Sequence, residues 1–123
     1  MFRLFLLTAL GGALGSVSRW GCSLFAQRLL PSSWPWGTFM SNVLGCFVAG
    51  LLAGWFAKIP EQDGPMKQLL LIGFCGGFTT FSSFSLETIR MLQQGQMLQA
   101  IAYAGSSFLL GLFALALGLQ FFR

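Results

Sequence analysis

The sequence predicts an all-α integral membrane protein, and two observations carry that prediction. Over half of the 123 residues (55%) are hydrophobic, whereas only 8% are charged. An average soluble domain has about 25% charged residues, so this chain could not cover a surface that faces water. Four apolar segments follow one another along the chain, and a transmembrane helix needs about 20 apolar residues. Four spans would therefore use nearly all of residues 1–123 as a single transmembrane domain.

The four transmembrane helices are expected at approximately residues 4–29, 36–57, 68–92 and 97–122. The connections between them contain the residues that break helices or prefer water. They are residues 31–35 with two prolines, residues 60–65 with Glu61 and Asp63, and residues 93–96 with three glutamines.

The first segment has a second interpretation. Arg3 followed by an apolar run is typical of a cleaved signal peptide. The apolar pattern continues past Arg19 to Leu30 without a clear cleavage site, which favours a transmembrane helix.

Charge specifies the orientation only weakly. An even number of spans puts both termini on one side of the membrane, and that side has a small excess of positive residues. Two alternatives stay open: a single topology with cytoplasmic termini, or a chain that inserts both ways and pairs with an inverted copy. The two sets are Arg3, Lys58, Lys67 and Arg123 on the side of the termini, and Arg28 and Arg90 on the other.

The same composition excludes other classes of protein. The net charge of +4 comes from scattered residues that form no patch, so we expect no nucleic-acid partner. The sequence has no histidine, which is the commonest general base and metal ligand, and no paired carboxylates. We therefore expect no enzyme. Cys22, Cys46 and Cys75 lack metal-ligand spacing and are interpreted as small buried apolar residues.

Glycine spacing predicts tight helix packing. Several of the 16 glycines recur four residues apart, a spacing that lets helix backbones approach closely in lipid. These pairs are Gly11 and Gly15, Gly50 and Gly54, and Gly73 and Gly77, with Ser107 and Gly111 at the same spacing.

The third segment has five hydroxyl residues and a Gly76-Gly77 pair at membrane depth, with phenylalanine at positions 78, 81 and 84. Irregular backbone at that depth is tolerated only where it is buried in protein or lines a cavity. We interpret the stretch as a helix break that serves conduction or binding. The alternative is a regular helix whose serines bond back to its own carbonyls. This pattern alone does not name the solute.

Three stretches together resemble one family. Residues 76–85 (GGFTTFSSFS), 36–45 (WGTFMSNVLG) and 11–20 (GGALGSVSRW) are similar to the third-, second- and first-helix motifs of the small bacterial fluoride channels, the Fluc or CrcB family. The similarity covers the whole chain, and the third-helix motif is the most specific of the three.

The resemblance implies a function and an assembly. It implies passive, fluoride-selective export that protects the cell from fluoride toxicity, in the bacterial cytoplasmic (inner) membrane. It further implies an antiparallel dual-topology homodimer in the lipid bilayer, with two fluoride pores and a structural sodium ion (Na+) at the interface.

The resemblance also implies residue roles. Backbone carbonyls of Gly76 and Thr79 would hold the sodium ion, and Arg19 would lie near a vestibule. The implied pore residues are Asn42, Phe81, Phe84, Ser107, Tyr103, Thr38, Glu87, Ser82 and Ser83. Two positions depart from the family pattern: Ser83 replaces a frequent threonine, and Gly111 replaces a serine found in some members.

The residue types suit a small, strongly hydrated anion. Asn42 and the hydroxyls offer hydrogen-bond donors, and phenylalanine rings offer positive edges without a full charge. Glu87 is the exception, because a carboxylate repels an anion. It is hydrogen-bonded, protonated or close to the membrane surface.

Two rival functions remain open. A small multidrug-type proton-coupled exporter has the same length and number of spans, but it needs a deep carboxylate, for which Glu87 is the only candidate. A membrane subunit without transport would not explain the clustered hydroxyls.

Overall fold

The computed structural model describes residues 1–60 and 63–123, and the described residues are helical with no strand. Helix α1 spans Phe2–Leu29 and α2 spans Trp36–Phe56. Helix α3 covers residues 65–78, and Phe81–Gln93 forms α4. Helix α5 spans Met97–Gln120. Glu61, which the sequence assigns to the loop before α3, lies outside the described residues.

Among the described residues, three helical stretches are long and apolar enough to cross a membrane: Trp36–Phe56, Pro65–Gln93 and Met97–Gln120. Helix α1 is not one of them, although it is 28 residues long. Large apolar side chains cover much of the outside of the chain, among them Leu98 at 81% and Phe2 at 75% exposed. Such a surface needs lipid or another protein against it, and it indicates a multi-pass membrane protein.

The third apolar stretch is broken, as its glycines and hydroxyls predict. Helix α3 is α-helical at Pro65–Lys67, π-helical at Gln68–Cys75 and α-helical again at Gly76–Phe78. Thr79 (φ −84°, ψ 154°) and Thr80 (φ −151°, ψ 116°) are extended, so the helical hydrogen bonds stop at Phe78 and start again at Phe81. The side chain of Thr80 then caps α4 by accepting a hydrogen bond from the Ser83 amide.

Glycines bring two pairs of helices into backbone contact, which confirms the packing role predicted from their spacing. A Cβ atom on Gly11 of α1 would lie 2.1 Å from the Leu69 carbonyl oxygen of α3. A Cβ atom on Gly50 of α2 would lie 2.2 Å from the Leu115 carbonyl oxygen of α5. No side chain fits at either position, so these contacts fix how closely the helices pack.

Candidate functional site

Helices α2 and α5 run parallel and meet in a constant register. Three contacts one turn apart join residues that are 65 positions apart, namely Cys46 with Gly111, Gly50 with Leu115 and Gly54 with Leu119, so successive turns of α2 face successive turns of α5. The first three turns carry polar or small side chains, and the later turns bring Gly50 against Leu115. We call the line between the helices the α2–α5 seam. Its facing residues are Thr38 and Tyr103, which share Glu87, then Asn42 and Ser107, which line one cleft, and then Cys46 and Gly111.

A carboxylate joins the first pair. The Thr38 hydroxyl donates to Oε1 of Glu87 at 2.8 Å, and the Tyr103 hydroxyl donates to Oε2 at 2.6 Å. Thr38 is 6% exposed and Tyr103 is fully buried. Glu87 therefore lies in a hydrogen-bonded group rather than free at a surface, and both of its oxygens accept. Of the three states that the sequence left open for Glu87, the structure shows the hydrogen-bonded one.

Asn42 of the second pair holds the break in place. Its Nδ2 donates to the Thr80 carbonyl oxygen at 3.0 Å, and its Oδ1 accepts from the Thr80 amide at 2.7 Å. These two bonds hold the backbone N–H and C=O of Thr80, and the bond from the N–H gives a partner to an amide that the missing helical turn would otherwise bind. The second N–H of the Asn42 amide remains as a donor.

A cleft of about 250 Å³ opens where the seam meets the break. We call it the central cleft. It brings together four of the pore residues implied by the resemblance: Asn42, Phe81, Phe84 and Ser107. Its full lining is Asn42, Cys46, Thr79, Thr80, Phe81, Phe84, Ser107 and Phe108.

Ser107 lines the central cleft, and its hydroxyl differs from the other hydroxyls nearby. Its Oγ is buried and has no hydrogen-bond partner within the described chain. Its neighbour Ser106 instead donates to the Tyr103 carbonyl at 3.3 Å, in the manner of a serine inside a helix. A buried hydroxyl without a partner costs about 1–3 kcal/mol of stability. A solute or a water that accepts a hydrogen bond from Ser107 would remove this cost.

Two phenylalanine rings flank the cleft. The Phe81 and Phe84 centroids lie 5.7 Å apart, and Phe84 lies 5.4 Å from the Tyr103 ring. Phe81 is 79% exposed, so most of this ring faces out of the single chain. The pair therefore links the central cleft to the Glu87 group on one side and to the outside of the chain on the other.

Ser82 and Ser83 do not line the central cleft. Both hydroxyls lie 3.2 Å from the hydroxyl oxygen of Thr80, in the first turn of α4. The cluster supports the helix start after the break. The pore role that the resemblance implies for these two serines stays a prediction.

The end of α3 presents backbone oxygens with different partners. The Gly77 carbonyl accepts from Nε of Arg19 at 3.1 Å. In the described part of the chain, the Gly76 and Thr79 carbonyls accept no hydrogen bond. A Cβ atom on Gly76 would have no atom within 4 Å, so this side of the break is open. Free carbonyls at the negative end of a helix are suitable ligands for a cation.

Arg19 accordingly lies at the break and is half-buried. A larger cleft of about 400 Å³ lies between the end of α1, the α1–α2 loop and Glu87, and Arg19 is not among its lining residues. The vestibule position that the resemblance implies for Arg19 stays a prediction.

Sequence reasoning missed Thr80 and Cys46. Thr80 is a cap and the partner of Asn42, and a threonine three residues before Ser83 at a helix start was an available signal. Cys46 lines the central cleft, whereas it was expected to be simply buried; Cys75 is buried as expected, at 4% exposed.

Comparison with known proteins assigns the family. The family described as "CrcB-like protein, Camphor Resistance (CrcB)" matches residues 6–119. A "Fluoride-specific ion channel FluC" of Hyphomonas neptunium (strain ATCC 15444) is 52% identical over 120 residues, covering 97% of this chain and 94% of that protein. Proteins of the same name from Caulobacter vibrioides (strain NA1000 / CB15N) and Rhizobium johnstonii are 46% and 42% identical over 115 and 118 residues. The former match covers 93% of this chain and 91% of that protein, and the latter covers 96% and 94%. The chain belongs to the CrcB-like family.

Proposed function

We propose that this protein is a fluoride-selective channel, which conducts fluoride passively out of the cell and protects it from fluoride toxicity. The observation that carries the proposal is the buried, unpartnered hydroxyl of Ser107 in a cleft whose described lining has no charged side chain. End-to-end similarity to proteins named fluoride-specific channels supports it.

The lining suits fluoride because it offers donors without a fixed charge. Ser107 and the second N–H of Asn42 replace part of the hydration shell, and Phe81 and Phe84 present ring hydrogens. Conduction needs binding that is weak enough to release the ion, and a lysine in the cleft would bind it more tightly. The Glu87 carboxylate is less repulsive to an anion because Thr38 and Tyr103 donate to both of its oxygens.

Liposome flux tests the function. Purified protein in fluoride-loaded liposomes, with valinomycin as the potassium shunt, should release fluoride to an external electrode and retain chloride. Phe81→Ile or Asn42→Ala should impair the release. Chloride flux as fast as fluoride flux would overturn the proposal. Flux that requires a proton gradient would favour the rival, a proton-coupled exporter of the small multidrug type, for which Glu87 would be the coupling carboxylate.

We infer that α1 is a fourth span in the bacterial inner membrane, so that residues 1–123 form one four-helix transmembrane domain. Its arginine at position 19 does not oppose this, because the guanidinium donates to the Gly77 carbonyl and lies partly buried against α3. Close packing at Gly11 also ties α1 to a stretch that is apolar enough to cross the membrane.

We further propose an antiparallel homodimer in which both copies complete each pore. Phe81 is 79% exposed beside the central cleft, which suits a ring that a second chain covers. The weak charge bias between the two sides permits both orientations.

Protease accessibility tests the dual topology. A cleavable tag is placed after Arg123, and protease is added outside right-side-out spheroplasts. The protease should remove the tag from about half of the chains, since equal populations face each way. Complete cleavage, or none, would contradict dual topology.

We propose that a sodium ion sits at the dimer interface, held by the Gly76 and Thr79 carbonyls of both copies. Oxygen ligands of this kind suit a hard cation such as sodium. Within the described residues the two carbonyls accept no hydrogen bond, they lie where α3 ends, and the space beside Gly76 is open. When bound, the ion would neutralise backbone dipoles at the break and join the two chains. The melting temperature of the purified dimer should be higher in sodium than in potassium or N-methylglucamine salts. Equal values in all three would refute the site.

A further inference from the structure

We propose that Cys46 lines the fluoride path and is a thiol-modification site, at which a small sulfur electrophile blocks conduction. This inference rests on the proposed fluoride channel and adds a residue that the sequence pattern assigned only to packing.

The first observation is the position of Cys46 on the cleft. It lies one helical turn after Asn42 on α2, and both residues line the central cleft with Ser107 of α5. Residues four apart share one helix face, so the thiol is on the face that carries the amide. The buried, unpartnered Ser107 hydroxyl independently marks the same cleft as a place for a hydrogen-bonding ligand.

The second observation is the space opposite the thiol. Cys46 faces Gly111, and a Cβ atom built on Gly111 would lie 3.5 Å from Sγ of Cys46. Gly111 has no side chain, so Cys46 is the polar member of this pair. Its S–H is a weak donor that follows the Asn42–Ser107 pair along the seam.

The third observation is where the seam closes. One turn beyond Cys46, Gly50 packs against the Leu115 backbone so closely that a Cβ atom would lie 2.2 Å from its carbonyl oxygen. One turn before Asn42, the seam is occupied by the group of Thr38, Glu87 and Tyr103. Cys46 therefore lies in the last open turn of the seam, and its sulfur lies close to an ion that enters the central cleft.

The chemistry of the block is thiol exchange. The Cys46 thiol loses its proton to water, and the thiolate attacks the sulfenyl sulfur of methyl methanethiosulfonate. A Cys46–S–S–CH₃ bond forms, and the bond between the two sulfurs of the reagent breaks. Methanesulfinate leaves with the electron pair, so the thiol is oxidised and the reagent is reduced. Dithiothreitol reverses the step. The added S–CH₃ group narrows a cleft of about 250 Å³ and replaces a donor with a methyl group.

The test uses the full chain in liposomes with methyl methanethiosulfonate as the probe. Fluoride efflux is measured first without reagent, so that a failure of the proposed function is seen separately. Treatment should then reduce efflux of the wild-type protein by about tenfold or more, because the modified cleft cannot pass the ion, and dithiothreitol should restore it. The efflux of Cys46→Ala and of Cys46→Ser should be the same before and after treatment with the reagent. Cys22→Ser should be inhibited by the reagent as strongly as the wild-type protein.

Peptide mapping of the treated wild-type protein supplies a readout without any substitution. The modified fraction of Cys46 should rise in proportion to the loss of efflux, and Cys75, at 4% exposed, should stay unmodified. Full modification of Cys46 with unchanged efflux would overturn the proposal. The proposal would also be overturned if efflux fell while Cys46 stayed unmodified. It would be overturned as well if the reagent inhibited Cys46→Ala and Cys46→Ser as strongly as the wild-type protein.

Discussion

The two closely packed helix pairs of this chain differ in how their contacts are filled. Helices α1 and α3 meet backbone to backbone along two turns, where Cβ atoms on Gly11 and Gly15 would lie 2.1 and 2.2 Å from carbonyl oxygens of α3. Helices α2 and α5 make the same kind of contact at Gly50, but one to three turns earlier polar side chains separate them.

The difference shows that the same helical fold contains one helix pair in backbone contact and one pair with a cleft between its helices. Glycine contacts exclude solutes and fix the helix positions, whereas Asn42, Ser107 and Cys46 hold the other seam open over a limited length. The sealed pair also carries the half of the third stretch that ends at the break. The α1–α3 contact thus fixes the position of the helix that leads into the break beside the α2–α5 seam.

The largest effect should come from breaking the sealed contact. Gly11→Val would put a branched side chain where even a Cβ atom lies 2.1 Å from the Leu69 carbonyl oxygen. Overpacking of this kind costs about 1–3 kcal/mol, and more where backbone must move, so we expect loss of the monodisperse protein. Size-exclusion chromatography and the melting temperature in detergent measure it.

Gly105→Ala is the matched control, because a Cβ atom at Gly105 meets nothing within 4 Å. It should leave the melting temperature unchanged or raise it, since alanine favours a helix over glycine by about 1 kcal/mol. Equal losses in both variants would mean that glycine content, rather than the α1–α3 contact, sets stability.

The next effect concerns the residue that joins the open seam to the break. Asn42→Asp keeps the size of the side chain and the acceptor for the Thr80 amide, but it loses the donor to the Thr80 carbonyl and adds a negative charge. We expect fluoride efflux to fall by about 100-fold, because an uncompensated charge in the cleft repels the anion. Ser41→Ala, one residue away, removes a hydroxyl that donates to the Gly37 carbonyl of its own helix, and its efflux should stay near wild type. An Asn42→Asp channel at wild-type speed would exclude the amide from the path.

A smaller effect should separate two adjacent serines of α5. Ser107→Ala removes the unpartnered hydroxyl of the cleft, whereas Ser106→Ala removes one that bonds to its own helix. We expect efflux to fall by about tenfold in the former, equal to one donor worth about 1–1.5 kcal/mol, and to change little in the latter. Melting temperatures should move the other way, since alanine at position 107 relieves a buried group without a partner. If Ser106→Ala reduced fluoride efflux more than Ser107→Ala, the ion would pass on the side of α5 that carries Ser106.

The sequence predicts the glycine contacts and the break in the third stretch better than the arrangement of residues in the α2–α5 seam. Periodic glycines and the hydroxyl-rich stretch after Gly76 are local signals, so the sealed contacts and the broken helix follow from them. The partner of Asn42, the choice between Ser106 and Ser107, and the exposure of Cys46 depend on the register between α2, α4 and α5. That register is set by contacts between residues far apart in the sequence, which composition and spacing do not contain. Arg19 is a similar case, because its Gly77 partner is 58 residues away.

The smallest effect should come from the cap that restarts the helix after the break. Thr80→Val keeps the shape of the side chain but removes the oxygen that accepts from the Ser83 amide, and Thr80→Ser keeps that oxygen. Losing such a cap costs about 0.5–2 kcal/mol, so Val should lower the melting temperature and Ser should not. Both variants retain the Thr80 backbone that Asn42 binds, so fluoride efflux of the folded protein should change less than in the Ser107→Ala variant. If Thr80→Val abolished efflux while leaving stability intact, the hydroxyl of Thr80 would belong to the open seam itself rather than to the helix start beside it.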